Sequence, residues 1–210
     1  MKQEPYKKPT NTNQYKARVA MIPIITKPII LVLVLFTTHV LAQNTQLQTV
    51  QQSSIKIQGT STIHDWESVV KEVEIAASFS KQGGLWIGVE QLSVNMPVRS
   101  IESGKKLMNS KTYEALNAKD YPIITFQFKE TMALTDTEIK VFGSLSIAGV
   151  TNEIELSANY ILNDQEITIS GLYPLNMRDF GIDPPTAMVG SIKTGELVEL
   201  SYDITFVSNQ

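Results

Sequence analysis

The feature that most constrains this fold is a strict alternation of apolar and polar side chains over five long segments. In the last of them, Val198, Leu200, Tyr202, Ile204 and Phe206 recur at every second position. A period of two is typical of a β-strand with one face in a core and the other in solvent. The pattern therefore predicts five amphipathic strands, which are residues 72–79, 91–98, 139–147, 154–162 and 198–206.

Shorter apolar segments raise the predicted number of strands to eight. They are residues 55–59, 123–129 and 166–171. Three of the breaks between strands are short, and the predicted hairpin turns lie at residues 81–84, 148–152 and 162–165. Short links place consecutive strands next to each other and antiparallel. Eight such strands must bury one apolar face, either by closing into a barrel or by folding into a sandwich.

Residues 99–121 interrupt this pattern and are too long for a hairpin loop. Leu107, Met108 and Tyr113 lie at helical spacing, and Asn109 or Ser110 is a candidate N-cap for a helix that ends near residue 117. We predict one short helix, lying across an opening of the barrel or along one edge. A second long irregular segment, residues 174–195, links the last two strands, and loops of this length are often functional.

The first 54 residues carry signals of a different kind. An apolar core at residues 29–36 follows Lys27, and Val40 and Ala42 fit the small-residue rule for signal-peptide cleavage after Ala42. The core is too short for a transmembrane helix. We predict a signal peptide over residues 1–42, with Met21 as an alternative start, and export to the periplasm or beyond the cell. Residues 43–54 are polar, which predicts a flexible lead-in to a domain over 55–207.

Charge and cysteine content exclude several classes of function. Residues 1–42 carry a net charge of +5, so the remaining chain carries 12 basic and 20 acidic residues, a net charge of −8. An acidic body is unsuited to nucleic acids, which bind through basic side chains. The chain has no cysteine, which excludes disulfides, thiolate metal sites and cysteine nucleophiles.

Four segments, in order along the chain, carry a resemblance to a known family. They are residues 94–101 (VNMPVRSI), 107–126 (ending in YPIITF), 141–151 (VFGSLSIAGVT) and 179–182 (DFGI). The body resembles the YceI-like family of bacterial periplasmic proteins that bind lipids or polyisoprenoids, over roughly residues 53–207. The first turn, GTSTIHDW at residues 59–66, and the pair Lys105-Lys106 depart from the usual pattern, and indicate a branch with His-Asp-Trp in that turn.

The resemblance implies an all-β, eight-stranded, antiparallel lipocalin-like barrel with one short helix. It also implies an interior tunnel for a long apolar chain, such as a polyprenyl lipid or a quinone tail. Ordinary core packing is the alternative role for each candidate. The residues that we expect to line the tunnel are Met96, Met108, Tyr113, Phe126, Phe128 and Phe142.

His64 and Trp66 are the candidates for one end of the barrel. A histidine beside Asp65 invites a catalytic interpretation, but no recognisable nucleophile motif accompanies it, and a single histidine makes a poor zinc site. We expect the His64 ring nitrogens to bond to backbone groups at a barrel corner and Trp66 to plug that end, with ligand contact as the alternative.

The sequence therefore predicts a non-enzymatic binding protein with an apolar lipid or polyprenyl ligand. No cofactor, metal or nucleic acid and no membrane span in the mature form are expected, and a homodimer is left open. The alternative is a structural or interaction barrel whose interior is packed and free of ligand.

Overall fold

Eleven β-strands and one α-helix make up the fold in the computed structural model, which describes residues 44–82, 85–163 and 166–208. The predicted signal peptide over residues 1–42 lies outside the described residues. The elements, in chain order, are β1 (Asn44–Ser61), β2 (Trp66–Val70), β3 (Glu74–Gln82), β4 (Leu85–Pro97), β5 (Ile101–Glu102), α1 (Lys106–Ala115), β6 (Ile123–Leu134), β7 (Glu138–Ile147), β8 (Val150–Asn163), β9 (Glu166–Asn176), β10 (Thr186–Ala187) and β11 (Ile192–Ser208).

Eight of these strands form a closed antiparallel ring, which confirms the predicted fold class. The order around the ring is β1, β3, β4, β6, β7, β8, β9 and β11, and β11 pairs back onto β1. The total of eight strands was wrong, because β2, β5 and β10 were not expected. These three are short strands at one end of the ring, where β2 pairs with β1 and with β5, and β10 pairs with β11.

The flexible lead-in predicted for residues 43–54 is also wrong where the structure describes it. Residues 44–48 pair with β3 and residues 48–61 with β11, so this segment closes the ring. Its polar sequence did not indicate a strand, but backbone hydrogen bonds to two neighbours need no apolar side chains. Register shifts between β3 and β4 and between β6 and β7 help these strands to bend around the barrel.

The turns match the hairpin predictions where they are described. β7 and β8 are joined by Ala148 and Gly149, which have φ values of 50° and 85° and form a two-residue turn. An added Cβ at Gly149 would lie 2.4 Å from the Tyr121 ring, so glycine is required for space as well as for conformation. The other two predicted turns include residues 83–84 and 164–165, outside the described residues, although the flanking strands are paired.

The predicted helix exists, but its predicted N-cap is wrong. The helix begins at Lys106, after Gly104 with a φ of 76°, and ends at Ala115. Asn109 lies inside the first turns, where its Oδ1 accepts hydrogen bonds from the backbone N (2.8 Å) and the Oγ (2.6 Å) of Ser103. It therefore holds the loop that leads into the helix instead of capping it.

One end of the barrel interior is filled by aromatic rings, which we call the aromatic plug: Phe79, Trp86, Tyr160 and Phe206. Ring centroids lie 5.7 Å apart for Phe79 and Trp86, 5.2 Å for Phe79 and Phe206, and 4.4 Å for Trp86 and Tyr160, all edge to face. Trp86 on β4 and Tyr160 on β8 come from strands separated by two others in the ring. Their contact therefore crosses the interior and closes this end.

Candidate functional site

A cavity of about 300 Å³ lies at the other end of the barrel. Its size is at the lower end of the range of small-molecule sites. Inward-facing aliphatic side chains of the ring strands make its walls, because alternation along each strand directs every second residue inward. These side chains are Ile55, Ile57, Met96, Ile124, Leu145, Ile147, Leu175, Val198 and Leu200.

Helix α1 lies across one side of this cavity, which is the first of the two positions that the sequence left open. Leu107, Met108, Thr112 and Leu116 line the cavity from the helix and the residue that follows it. No residue of the helix is fully buried, so the element is held by few contacts. The helix has the features expected of a lid.

Tyr113 anchors this lid from its other face. Its hydroxyl donates to the backbone oxygens of Arg99 (2.9 Å) and Ile101 (3.1 Å). The Arg99 guanidinium carbon lies 5.5 Å from the centre of the Tyr113 ring, within range of a cation–π contact. Tyr113 therefore attaches the lid to the segment that follows β4 and does not line the cavity.

His64 lies in the turn between β1 and β2, Trp66 is the first residue of β2, and both line the cavity. His64 Nδ1 lies 2.8 Å from the backbone oxygen of Asp65, and the Ser61 hydroxyl donates to the backbone oxygen of His64 at 2.7 Å. We predicted that the ring nitrogens of His64 bond to backbone groups, and the contact of Nδ1 with the Asp65 oxygen is of this kind. Because His64 is exposed, its ring sits at the mouth of the cavity.

The indole of Trp66 is positioned by its partner on the neighbouring strand. Its Nε1 donates to the backbone oxygen of Thr60 at 3.0 Å. Trp66 pairs with Gly59, where an added Cβ would lie 2.4 Å from the ring. Gly59 thus leaves the space that the indole occupies beside β1, and Trp66 forms part of the cavity wall.

Polar groups of the wall are concentrated near the mouth. Lys105 and Lys111 both line the cavity, and no carboxylate does so within the described chain. Lys111 forms an ion pair with Glu114 at 2.7 Å, whereas Lys105 has no ion-pair partner among the described residues. The mouth is therefore locally basic on a body that is acidic overall, and it favours an acidic or hydrogen-bonding group over a cation.

Ser68 is the polar exception deep in the wall. It lies on β2 between Trp66 and Val70, which face the same way, and it is only 2% exposed. Its hydroxyl makes no hydrogen bond with any residue that the structure describes. A ligand with one polar group along its chain would find a donor and acceptor here.

The structure divides the predicted site residues into two groups. Met96, Met108, His64 and Trp66 line the cavity, whereas Tyr113, Phe126, Phe128 and Phe142 do not. Phe126 and Phe128 lie farther along β6, away from the mouth, where they pack into the core. Phe142 alternates with the buried Val141 and Gly143, so it faces outward, with Lys129 Nζ 5.8 Å from its ring centre.

The sequence interpretation missed most of the cavity wall. Aliphatic residues of β1 and β11 were assigned to strands but not to the site, Leu175 of β9 was placed in the irregular segment 174–195, and β2 was not recognised. The signal was present, since Ile55 and Ile57, or Val198 and Leu200, alternate with polar neighbours. The sequence does not predict which end of each strand borders the cavity and which end borders the aromatic plug.

No three His, Asp or Glu side chains come together in a way that would hold a metal ion, within the part of the chain that is described. In the same residues, no helix has the length and apolar character needed to cross a membrane.

Comparison with solved structures places this fold among known barrels. BcnA from Burkholderia cenocepacia shares 17% identity with a TM-score of 0.62, over 73% of this chain and 95% of that one. The YceI protein of Campylobacter jejuni shares 18% identity with a TM-score of 0.56, over 68% and 84% of the two chains.

A third similar structure is a polyisoprenoid binding domain from Saccharophagus degradans. It shares 12% identity with a TM-score of 0.59, over 80% of this chain and all of that one, and is described as implicated in plant cell wall breakdown. A comparison with curated protein sequences found no significant match. The model of the YceI-like domain matches residues 38–206, which is most of the sequence. The chain therefore belongs to the YceI-like family.

Proposed function

We propose that this protein is an exported, non-enzymatic carrier that holds an isoprenoid-like or other lipid chain in its cavity. The observation that carries this proposal is the cavity of about 300 Å³, lined mainly by aliphatic side chains and open beside a group of polar residues. The description of the Saccharophagus degradans domain as polyisoprenoid-binding supports the same class of ligand.

The affinity would come from moving methylene groups out of water, at about 0.8 kcal/mol for each group buried. The polar end of the ligand would remain at the mouth, near Lys105 and Thr112, because Ser68 is the only hydrogen-bonding partner that the described residues offer on the inner wall. The uneven distribution of polar groups along the cavity would therefore determine the orientation of the bound ligand.

A structural barrel with a completely packed interior is less well supported. Interiors of folded proteins are close-packed, with few voids larger than a water molecule. An apolar cavity about twice the size of an engineered cavity that binds benzene is more than imperfect packing explains. Catalysis at His64 is also less well supported, because its Nδ1 is occupied by a backbone oxygen at the exposed mouth.

Export is part of the proposal and is supported by the sequence of residues 1–42. The apolar core at 29–36 and the small residues Val40 and Ala42 indicate cleavage before Gln43. An exported carrier would deliver or store its ligand outside the cytoplasm.

The two tryptophans of the chain provide a direct test, because Trp66 lines the cavity and Trp86 belongs to the plug. In a Trp86→Phe variant, titration with geraniol should shift the emission of Trp66 to shorter wavelength as water leaves the cavity. In the matched Trp66→Phe variant, the emission of Trp86 should not change. Native mass spectrometry of gently purified protein should show a retained lipid.

The proposal would be abandoned if the protein had a ligand-free mass and neither geraniol nor a total lipid extract altered the emission of Trp66. A shift in both single-tryptophan variants would indicate a general conformational change instead of local uptake.

A further inference from the structure

The interior of the barrel is divided into two parts along its axis, the cavity and the aromatic plug. On β7, Leu145 and Ile147 line the cavity, but Val141, which faces inward nearer the plug, does not. On β6, Ile124 lines the cavity and Phe126 does not. On the other neighbour, β4, Met96 pairs with Ile124 and lines the cavity, whereas Val94 pairs with Phe126 and does not. On β7 the boundary lies one inward-facing residue nearer the plug, because Leu145 pairs with Phe126 and still lines the cavity. The cavity therefore ends inside the barrel, so it is a pocket and not a tunnel.

Phe126 fills the part of the barrel interior that lies directly between the cavity and the aromatic plug. It is 4% exposed, and it lies against Gly143 on the next strand, where an added Cβ would be 2.5 Å from the Phe126 ring. Because glycine has no side chain, the ring can lie across the space that a β7 side chain would otherwise occupy. The side chain of Phe126 thus extends into the interior beneath the aliphatic wall.

The aromatic plug fills the levels beyond Phe126. Phe79 and Phe206 are each 1% exposed, and none of the four rings of the plug lines the cavity. The Tyr160 hydroxyl donates to the backbone oxygen of Thr135, in the turn between β6 and β7. The plug is therefore attached to the far end of the barrel and spans it, so a chain that enters at the mouth has no path through.

We propose that this barrel selects short apolar chains and excludes long ones from full burial, with Phe126 and the plug setting the limit. At about 30 Å³ for each non-hydrogen atom, the volume of a liquid water, the cavity holds roughly ten such atoms. The ligand class is an amphiphile with a medium-length or two-isoprene chain. This inference rests on the proposed function and narrows its ligand class.

The test is a chain-length series of straight-chain carboxylic acids, from octanoic to octadecanoic acid, titrated calorimetrically below their micelle concentrations. The dissociation constant should fall by roughly fourfold for each added methylene while the chain is short. It should then level off once the chain exceeds about ten carbons, because further methylenes remain in water at the mouth. A dissociation constant that keeps falling through octadecanoic acid would overturn the inference.

Two variants move the limit in opposite directions. Phe126→Ala removes the ring beneath the cavity, so the levelling-off should shift to longer acids. Phe142→Ala is the matched control, because this phenylalanine lies on the outer face of the neighbouring strand. Val198→Phe adds a ring to the cavity wall and should shift the limit to shorter acids.

If Phe126→Ala does not fold, Val198→Phe decides the question alone, and an unchanged limit in that variant would overturn the inference. Failure of the proposed function has a different signature. In that case no acid of any length, and no geraniol, would bind to the unaltered protein, and the inference would fall with it.

Discussion

At the scale of single residues, Tyr202 has the most clearly perturbed chemistry. Its hydroxyl donates to the backbone oxygen of Ser157 at 3.1 Å, and its ring occupies the space left by Gly171. Burial raises the pKa of Tyr202 from its ordinary value of 10.0 to about 12. The folded barrel therefore holds this proton more tightly than the unfolded chain does.

We predict that the free energy of unfolding declines as pH rises from about 10 to about 12, because the unfolded chain loses the Tyr202 proton first. The contribution of the protonated Tyr202 to the free energy of unfolding is fully present below pH 10 and amounts to about 2 to 3 kcal/mol. Tyr202→Phe should cost about 1 kcal/mol at neutral pH, through the lost hydrogen bond, but should make this decline shallower.

Urea unfolding of both proteins across this pH range measures the difference. Burial also raises the pKa values of Tyr160 and Tyr173, but these residues are present in both proteins, so their effects cancel in the comparison. Parallel curves for the two proteins would contradict the assignment to Tyr202.

His64 shows what residue-level inference could and could not achieve. Its sequence context suggested a site, and the missing nucleophile and metal partners favoured a structural role. The structure places His64 at the mouth of the cavity, with its Nδ1 2.8 Å from the backbone oxygen of Asp65. This position is compatible with both a structural role and contact with a ligand. Sequence could not reveal this, because the cavity is formed by residues distant along the chain.

At the scale of elements, the attachment of helix α1 to the barrel can be weakened by a single substitution, at Tyr113, that leaves the cavity wall unchanged. Tyr113 holds it through two hydrogen bonds to the backbone, and no helix residue is fully buried. A lid with so few contacts should open more readily when one contact is lost.

We predict that Tyr113→Phe raises the dissociation rate of bound decanoic acid by up to about fivefold, for a loss of about 1 kcal/mol in lid closure. Stopped-flow measurements of ligand release would test this. Tyr121→Phe is the control, since its hydroxyl makes no hydrogen bond with a described residue. Equal release rates for the two variants would show that α1 does not limit exit.

Element predictions succeeded where a local pattern was sufficient. The alternation in β7 and a hairpin turn within residues 148–152 were both predicted, because strand faces and turn residues are local properties. The structure narrows this turn to Ala148 and Gly149. The start of the helix was predicted wrongly, because Asn109 and Ser110 are good capping residues but lie inside the helix. Capping preference is a weak term, and the path imposed by Gly104 outweighed it.

At the scale of the whole molecule, closure of the ring depends on the first residues of β1. Residues 44–48 make the pairing between β1 and β3, which joins the two sides of the sheet. Without this seam, both β1 and β3 would present free edges at this position, with unpaired backbone groups.

We predict that a protein lacking residues 1–47 unfolds at lower urea concentration than one beginning at Gln43, with a loss of about 2 to 4 kcal/mol from several backbone hydrogen bonds. The flexible lead-in that the sequence suggested makes the opposite prediction. Identical unfolding midpoints for the two proteins would show that the seam adds no stability.

The sequence by itself determined the all-β class, the faces of the long strands, three of the hairpins and the family, because these follow from local periodicity, turn chemistry and motif order. Only the tertiary structure decided that the ring closes through a polar segment and that Phe126 lies beneath the cavity instead of lining it. The physical reason is that an inward-facing side chain has the same local pattern whether it faces a void or another ring. Which of the two it meets depends on side chains from strands on the opposite side of the barrel, as with Trp86 and Tyr160.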